Sequence, residues 1–268
     1  VRRIFRLPLP EDTQKGLEQL QTGLDKLLDN LEAVEPSAQK KQIASNVDAY
    51  WQKQQKGAKR KKKPTALREV QQTLRKMFGR GYRCVYCSHS TGSDIEHFWP
   101  KAGYPQRTFE WSNLLLCCTE CGRYKGKQFP LDDNAQPLLI DASTENPWDY
   151  LDFDPDTHLL RARATHTGSF SPKGRKHVEV LRLGRDAISE EYGPVYDLLS
   201  DTVELFLKEP SSAQSLFKQL RKIDTKGLLG WIFLGLGSQV PPFQQLQSQH
   251  PEIWHHCESA TIPLFRQV

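Results

Sequence analysis

The sequence predicts a mainly helical chain, α+β overall, with a small cysteine-rich unit in its middle. Three observations carry that expectation. Leucines and other apolar residues recur at helical spacing over the first 80 residues and again from Lys176 to the end. Residues 81–130 change to short aromatic and apolar runs, turn residues and two CxxC pairs. Residues 131–175 are rich in Asp, Pro and Gly, with strand-like pieces such as Leu159 to Ala164, and read as loops packed on the preceding unit. Four consecutive segments follow: 1–80, 81–130, 131–175 and 176–268.

Along the first segment, Leu17, Leu20, Leu24, Leu27, Leu28 and Leu31 make an apolar stripe with acids between them, so Glu11 to Glu35 is expected to be an amphipathic helix. Ser37 to Lys56 reads as a second helix after Pro36, with Ile43, Val47, Tyr50 and Trp51 on one face. Pro64 breaks the pattern, and Thr65 to Phe78 forms a third helix that ends at Gly79. The last segment resumes the period through Val178, Val180, Leu181 and Leu183. It continues as Ala187 to Lys208, Ser211 to Ile223, Leu228 to Leu236 and Phe243 to Cys257. The leucine stripes at the two ends are expected to serve as core or as docking surface.

The 268 residues are 37% hydrophobic, enough for a proper core, which excludes disorder throughout. The longest apolar stretch, near Leu228 to Leu236, is interrupted by glycines and is far short of the roughly 18 residues a membrane span needs. The first fourteen residues are basic and then apolar but lack the apolar core of a secretory leader, so a cytoplasmic protein with no membrane partner is expected.

The net charge of +5 hides a strong asymmetry. Lys53 to Arg83 holds twelve Lys/Arg against one acid, Glu69, a local +11, whereas Leu131 to Leu160 has eight acids and no Lys/Arg. Lys59, Arg60, Lys61, Lys62 and Lys63 are therefore candidates for binding a nucleic-acid backbone, because neutralising phosphates releases counterions. A solvated linker is the alternative. Arg161, Arg163, Lys173, Arg175 and Lys176 are candidates to extend such a surface.

Cys84-Val-Tyr-Cys87 and Cys118-Thr-Glu-Cys121 are two CxxC pairs thirty residues apart, the ligand spacing of one tetrahedral structural Zn²⁺. Gly122 is expected to supply a positive φ beside the second pair. Cys117 and Cys257 remain as buried free thiols. His255-His256 is a weak metal pair, since adjacent residues do not share a helix face. Asp152 to Asp156 lacks the Gly and Glu of a calcium loop and is expected to make turns.

Between the pairs lie Asp94-Ile95-Glu96-His97-Phe98-Trp99-Pro100-Lys101 and Trp111-Ser112-Asn113-Leu114, and Lys125-Gly126-Lys127 follows the second pair. Glu-His-x-x-Pro, Trp-x-Asn-Leu and Cys-x-x-Cys-x-x-x-Lys-Gly together resemble the HNH endonucleases, whose ββα-metal unit is a hairpin and a helix around one divalent ion. The chain is similar within them to the PtuB-like proteins of Septu antiphage systems and their retron-associated relatives. That likeness rests on IEHFWPK, FEWSNLLLCCTEC, KGKQFP, LLIDAS, NPWDYLDFD and LRLGRD, from about Gly81 to Asp186.

The resemblance implies a metal-dependent endonuclease, DNA favoured over RNA such as tRNA. It would be the effector of a bacterial antiphage complex with an ABC/SMC-like, PtuA-like ATPase. For retron systems it adds a reverse transcriptase with its DNA–RNA hybrid as a partner. This chain has no Walker A motif. His97 suits a general base, because a neutral imidazole accepts a proton near neutrality. By resemblance, Glu96 is a ligand of a catalytic Mg²⁺ or Mn²⁺ and Asn113 ties the hairpin loop together. Asp94, two residues before Glu96 on an extended strand, shares its face and is a candidate second ligand. Glu96 itself is expected to project opposite His97 unless a bulge re-aims it. Lys125 and Lys127 are candidates to hold phosphate or are solvated turn residues. The family places Asn or His directly after the last cysteine, where this chain has Gly122. Either Asp94, or behind it Asp132 or Asp133, completes the coordination, or metal binding is weakened and the chain is a zinc module that binds nucleic acid or its partner.

Overall fold

The computed structural model describes residues 2–31, 36–60, 65–78, 81–166 and 168–266, with the side chains of residues 36, 37, 59 and 60 excepted. The described residues form two compact units that alternate along the chain. One comprises the described residues of 6–82 and 92–129, and the other those of 2–5, 83–91 and 130 onward. The four consecutive segments read from composition therefore map onto two discontinuous units.

The first unit is built from α1 (Glu11–Asp29), α2 (Pro36–Arg60), α3 (Ala66–Met77), β1 (Asp94–His97), β2 (Leu114–Cys117) and α4 (Thr119–Lys125). Leu17 and Leu24 of α1, seven residues apart, are buried, as are Leu67, Val70 and Leu74 of α3, which is the period a helix needs to seat one stripe on a core. Gly16 permits close packing of these two helices, because a Cβ there would stand 2.8 Å from Ala66 Cβ. Val47 and Trp51 form the buried stripe of α2. Helix α1 ends at Asp29, with Asn30 as its C-cap, short of the Glu35 expected from periodicity. The four residues 32–35 lie outside the described residues, as does the expected stop at Gly79.

Strands β1 and β2 pair antiparallel in unbroken register, Asp94 with Cys117 through to His97 with Leu114. All four residues of β2 are buried, so both faces of this short ribbon are covered. The second unit holds the hairpin β3 (Leu151–Phe153) and β4 (Leu160–Ala162) with α5 (Pro172–Leu181), α6 (Asp186–Lys208), α7 (Ala213–Ile223), α8 (Leu228–Leu234), α9 (Phe243–Gln249) and α10 (Pro251–Phe265). Its core gathers Trp148, Phe153, Tyr192, Trp231 and Phe265. The two indoles spend their N–H groups on Gly227 O and Asp152 Oδ1, at 2.8 and 2.7 Å, as buried tryptophans must.

The helix expected over Phe243 to Cys257 is two helices. His250 precedes Pro251, and the proline ring drives the residue before it out of helical geometry, here to φ −134° and ψ 64°. Asp152 to Asp156 makes turns: Asp154 Oδ1 accepts from the amides of Asp156 and Thr157. Arg161 pairs with Asp152 and Asp154, and Lys173 with Glu145. These two cations of the suggested phosphate surface are therefore engaged within the unit. No helix among the described residues is long and apolar enough to cross a membrane.

Candidate active site and metal centre

Cys84, Cys87, Cys118 and Cys121 are all buried, and their ligand atoms lie within 4.8 Å of one another. Four thiolates about 2.3 Å from a central zinc stand about 3.8 Å apart in a tetrahedron, so the donor set and its spacing fit a structural metal such as zinc. Among the described residues this is the group of three or more His, Cys, Asp or Glu side chains able to hold an ion. His255, exposed beside Glu258, is not part of such a group. Cys118 also caps α4, its sulfur accepting from the Cys121 amide at 3.4 Å.

The turn at the first pair is closed by Ser88 N donating to Cys84 O and Cys84 N donating to Ser90 O, both at 2.9 Å. Here the positive φ belongs to Ser88, at 50°. Gly122 lies inside α4 with no such angle, a correction to the sequence expectation: the second pair enters a helix directly and needs no left-handed residue. Tyr192 of α6 donates to Cys87 O at 3.1 Å, and the buried Lys226 bonds both Ser88 O and Glu191. These contacts hold the first cysteine turn from outside. Cys117 and Cys257 are buried, and burial pushes both thiols up, so neither is a ready nucleophile.

The hairpin sorts its functional side chains by strand alternation, without a bulge. Asp94 and Glu96 turn toward α4: Asp94 Oδ2 accepts from Thr119 Oγ1 at 2.8 Å, and Glu96 Oε1 accepts from Lys125 Nζ at 2.7 Å. His97 packs against Trp51 of α2, ring centroids 4.5 Å apart. Its Nε2 lies 2.9 Å from Thr108 O. A carbonyl oxygen only accepts, so Nε2 carries the proton and Nδ1 keeps its lone pair. Burial pushes the imidazole down to about 3, leaving it neutral at physiological pH.

Asn113 joins the ends of the loop that connects the strands. Its Oδ1 accepts from Trp99 N at 2.7 Å, and its Nδ2 donates to Trp99 O and Arg107 O at 3.1 and 2.8 Å. The same loop is gripped by Arg6, whose guanidinium donates to Trp111 O, Ser112 O and Leu114 O.

Lys125 departs from its expected role as a phosphate-holding or solvated turn residue. It is fully buried and donates to Glu96 and to His97 O, the latter at 2.8 Å. The reason is helical geometry: Cys121 and Lys125 are four apart on α4, so the turn that buries the cysteine buries the lysine. Lys127, two residues on, is exposed. Lys61, Lys62 and Lys63, and the side chains of Lys59 and Arg60, lie outside the described residues. Asp132 accepts from the amides of Asn134 and Gln136 in a turn of its own.

For a catalytic divalent ion the hairpin offers Glu96 Oε2, since Oε1 is paired with Lys125, and Asp94 Oδ1, since Oδ2 accepts from Thr119. A Cβ at Gly122 would lie 3.8 Å from Glu96 Oε2 and 3.4 Å from Cys117 Sγ. The position where the resembling family carries a ligand thus faces Glu96, and in this chain it holds no donor. One or two carboxylates fit an Mg²⁺ or Mn²⁺ held largely by substrate phosphate and water. Glu96 and His97 both line a cavity of about 60 Å³ with Asp48, Lys101 and Lys127, room for a few waters.

Sequence reasoning missed Trp51, Thr108, Asp48 and Lys101 as neighbours of this pocket. Trp51 stood out only as an apolar helix residue. The Asp48–Lys101 ion pair, at 2.8 Å, joins residues with no sequence signal between them.

No family model matches the chain. It is similar to the Septu protein PtuB of Bacillus thuringiensis, 32% identical over 108 residues, which are 38% of this chain and 37% of that protein. The chain therefore spans little more than a third of the length of the curated relative it matches. This distant similarity supports kinship with Septu-like defence proteins.

Proposed function

We propose that the chain is a phosphodiester-cleaving effector of a Septu-like antiphage system, an HNH-type endonuclease with DNA as its favoured substrate, working with an ABC/SMC-like ATPase. The observation that carries the reading is the protonation of His97. Donation of Nε2–H to Thr108 O leaves Nδ1 with its lone pair on a neutral imidazole, on the strand that also carries Glu96. Burial pushes this group down to about 3 and makes it a weak base in the free protein, so the role requires the negative charge of a bound phosphate to raise its basicity.

In this reading His97 Nδ1 takes a proton from the attacking water. Thr108 fixes the tautomer and, with Trp51, the plane of the ring. Asn113 holds the loop that carries Thr108 at a constant distance from β1. Glu96 Oε2 would hold the divalent ion. When bound, the ion supplies neutralisation of charge on the phosphate and the leaving oxygen. Lys125 fixes the Glu96 carboxylate and the His97 carbonyl together.

A second reading has its own observation. The Lys125 ammonium on Glu96 and the absence of a donor at Gly122 suit a zinc module that binds nucleic acid or the ATPase without cutting. The test is digestion of plasmid, single-stranded DNA and total RNA by purified chain, with its co-expressed ATPase, in Mg²⁺ or Mn²⁺. The nuclease reading expects cutting that His97→Gln abolishes while circular dichroism stays unchanged. Equal inertness of wild type and variant with the partner present selects the second reading, and cutting confined to RNA makes the effector a ribonuclease.

A further inference from the structure

A second, larger cavity of about 780 Å³ lies along α2 and is lined by Lys40, Lys41, Asp48, Ala102, Gly103 and Lys127, among others. Asp48, Ala102 and Lys127 also line the small pocket that contains Glu96 and His97. The two spaces therefore share a wall. Neither the basic run at residues 59–63 nor the family motifs point to Lys40 and Lys41.

We propose that this groove is the track along which the phosphate backbone of a nucleic-acid strand reaches the Glu96–His97 pocket, a destination that rests on the phosphodiesterase reading above. Charge selects the ligand. Lys40, Lys41 and Lys127 are exposed, and the carboxylate among them, Asp48, is already neutralised by Lys101 at 2.8 Å. The groove thus presents three ammonium groups without a competing free acid among its lining residues. Its floor admits a close backbone: Ala102 and Gly103 carry no side chain that would obstruct a sugar–phosphate chain.

Size agrees with charge. Lys41 and Asp48 are seven residues apart on α2, about 10 Å along the helix axis. A groove of that length accommodates a short run of backbone phosphates of one strand, about two, within reach of the lysine ammonium groups. The pocket of about 60 Å³ at its end cannot hold a phosphodiester as it stands. A strand in the groove would bring one phosphate to its mouth, beside Lys127. DNA and RNA share this polyphosphate chemistry, and the groove lining distinguishes neither.

The test is binding of the full chain to labelled single-stranded DNA and RNA of one sequence, by fluorescence anisotropy over a range of salt. Leaving out divalent ions keeps the measurement separate from cleavage. Replacing Lys40, Lys41 and Lys127 together by Ala should weaken binding by about tenfold or more and reduce the log–log salt slope by about 2. The triple Lys→Arg variant should bind as wild type. Weakening in both arms supports a backbone track, and weakening in one supports the track and names its strand. Unchanged affinity and slope in the Ala variant overturn it, as does loss produced only by Lys61→Ala, Lys62→Ala and Lys63→Ala. Plasmid cleavage is scored separately. Binding lost by the Ala variant when wild type never cuts keeps the groove and removes the nuclease, whereas cutting with unaltered binding removes the groove alone.

Discussion

The ammonium of Lys125 and the carboxylate of Glu96 form a 2.7 Å ion pair in which the lysine side chain is 0% and the glutamate 17% exposed. The same ammonium donates to His97 O. One cation therefore fixes both the carboxylate and the backbone of the candidate base, and it does so in a place where either charge alone would be costly.

Lys125→Met should therefore destabilise the protein by about 3–5 kcal/mol near neutral pH, the usual cost of stranding one member of a buried pair. Burial already raises the Glu96 carboxyl above its ordinary 4.5, with Lys125 opposing. Without the lysine the carboxyl rises further and folds in its protonated form, whose stabilisation is complete below about 4.5 and is lost as pH rises. Urea unfolding should show a smaller penalty at about pH 5 than at about pH 7. Equal penalties at both would mean that Glu96 does not depend on this partner.

His177 gives a prediction of opposite sign. It is 1% exposed, its Nδ1 accepts from Ile140 N at 3.1 Å, and burial foremost pushes it down to about 3. Its folded pKa is depressed, so its contribution is fully present above 6.5 and is lost as pH falls toward 3. Between those limits stability should fall by up to about 1.4 kcal/mol per pH unit from this group. His177→Asn keeps an acceptor near Ile140 N but cannot take up the proton. Its stability–pH curve should be shallower by about one proton in this window, and an identical slope would remove His177 as a source of acid sensitivity.

Gly122→Asn should strengthen divalent-ion binding. A Cβ at this position stands 3.8 Å from Glu96 Oε2 and meets Cys117 Sγ at an ordinary 3.4 Å, so the backbone there accepts a side chain beside Glu96. The expected result is a lower half-saturating Mn²⁺ concentration for cleavage and for quenching of a fluorescent oligonucleotide complex. A variant that folds as wild type and shows the same Mn²⁺ dependence would place the ion elsewhere.

Cys118→Ser removes a thiolate from the four-cysteine set while its hydroxyl can still accept from the Cys121 amide and cap α4. Bound zinc, measured by plasma mass spectrometry, should drop from stoichiometric to trace. The melting temperature should fall by about 10 °C, since structural zinc contributes folding energy directly. Cys257→Ser, outside the set, should retain the metal. Metal-free wild type with an unchanged melting temperature would overturn the zinc assignment.

What the residue pattern determines here is local. Helical period located α3 and α6 through α8 nearly to their ends, because burying one stripe of a helix needs only residues three and four apart. The CxxC spacing identified the four buried cysteines, since each pair is a short turn. Strand alternation correctly separated Glu96 from His97 by face, as a two-residue period demands.

The tertiary structure decided what lies across from each of these groups. Nothing between Trp51 and His97, or between Asp48 and Lys101, marks them as partners, because such contacts depend on where α2 settles on the hairpin. Lys125 has the spacing of a surface lysine in a Lys-Gly turn, and only the burial of Cys121 one helical turn earlier draws it inward onto Glu96. The tautomer of His97 depends on a carbonyl eleven residues away, at Thr108, that accepts from Nε2. Helical period and turn chemistry are properties of neighbours in the chain. The protonation state of His97, the partner of Glu96 and the lysine-lined groove are properties of packing.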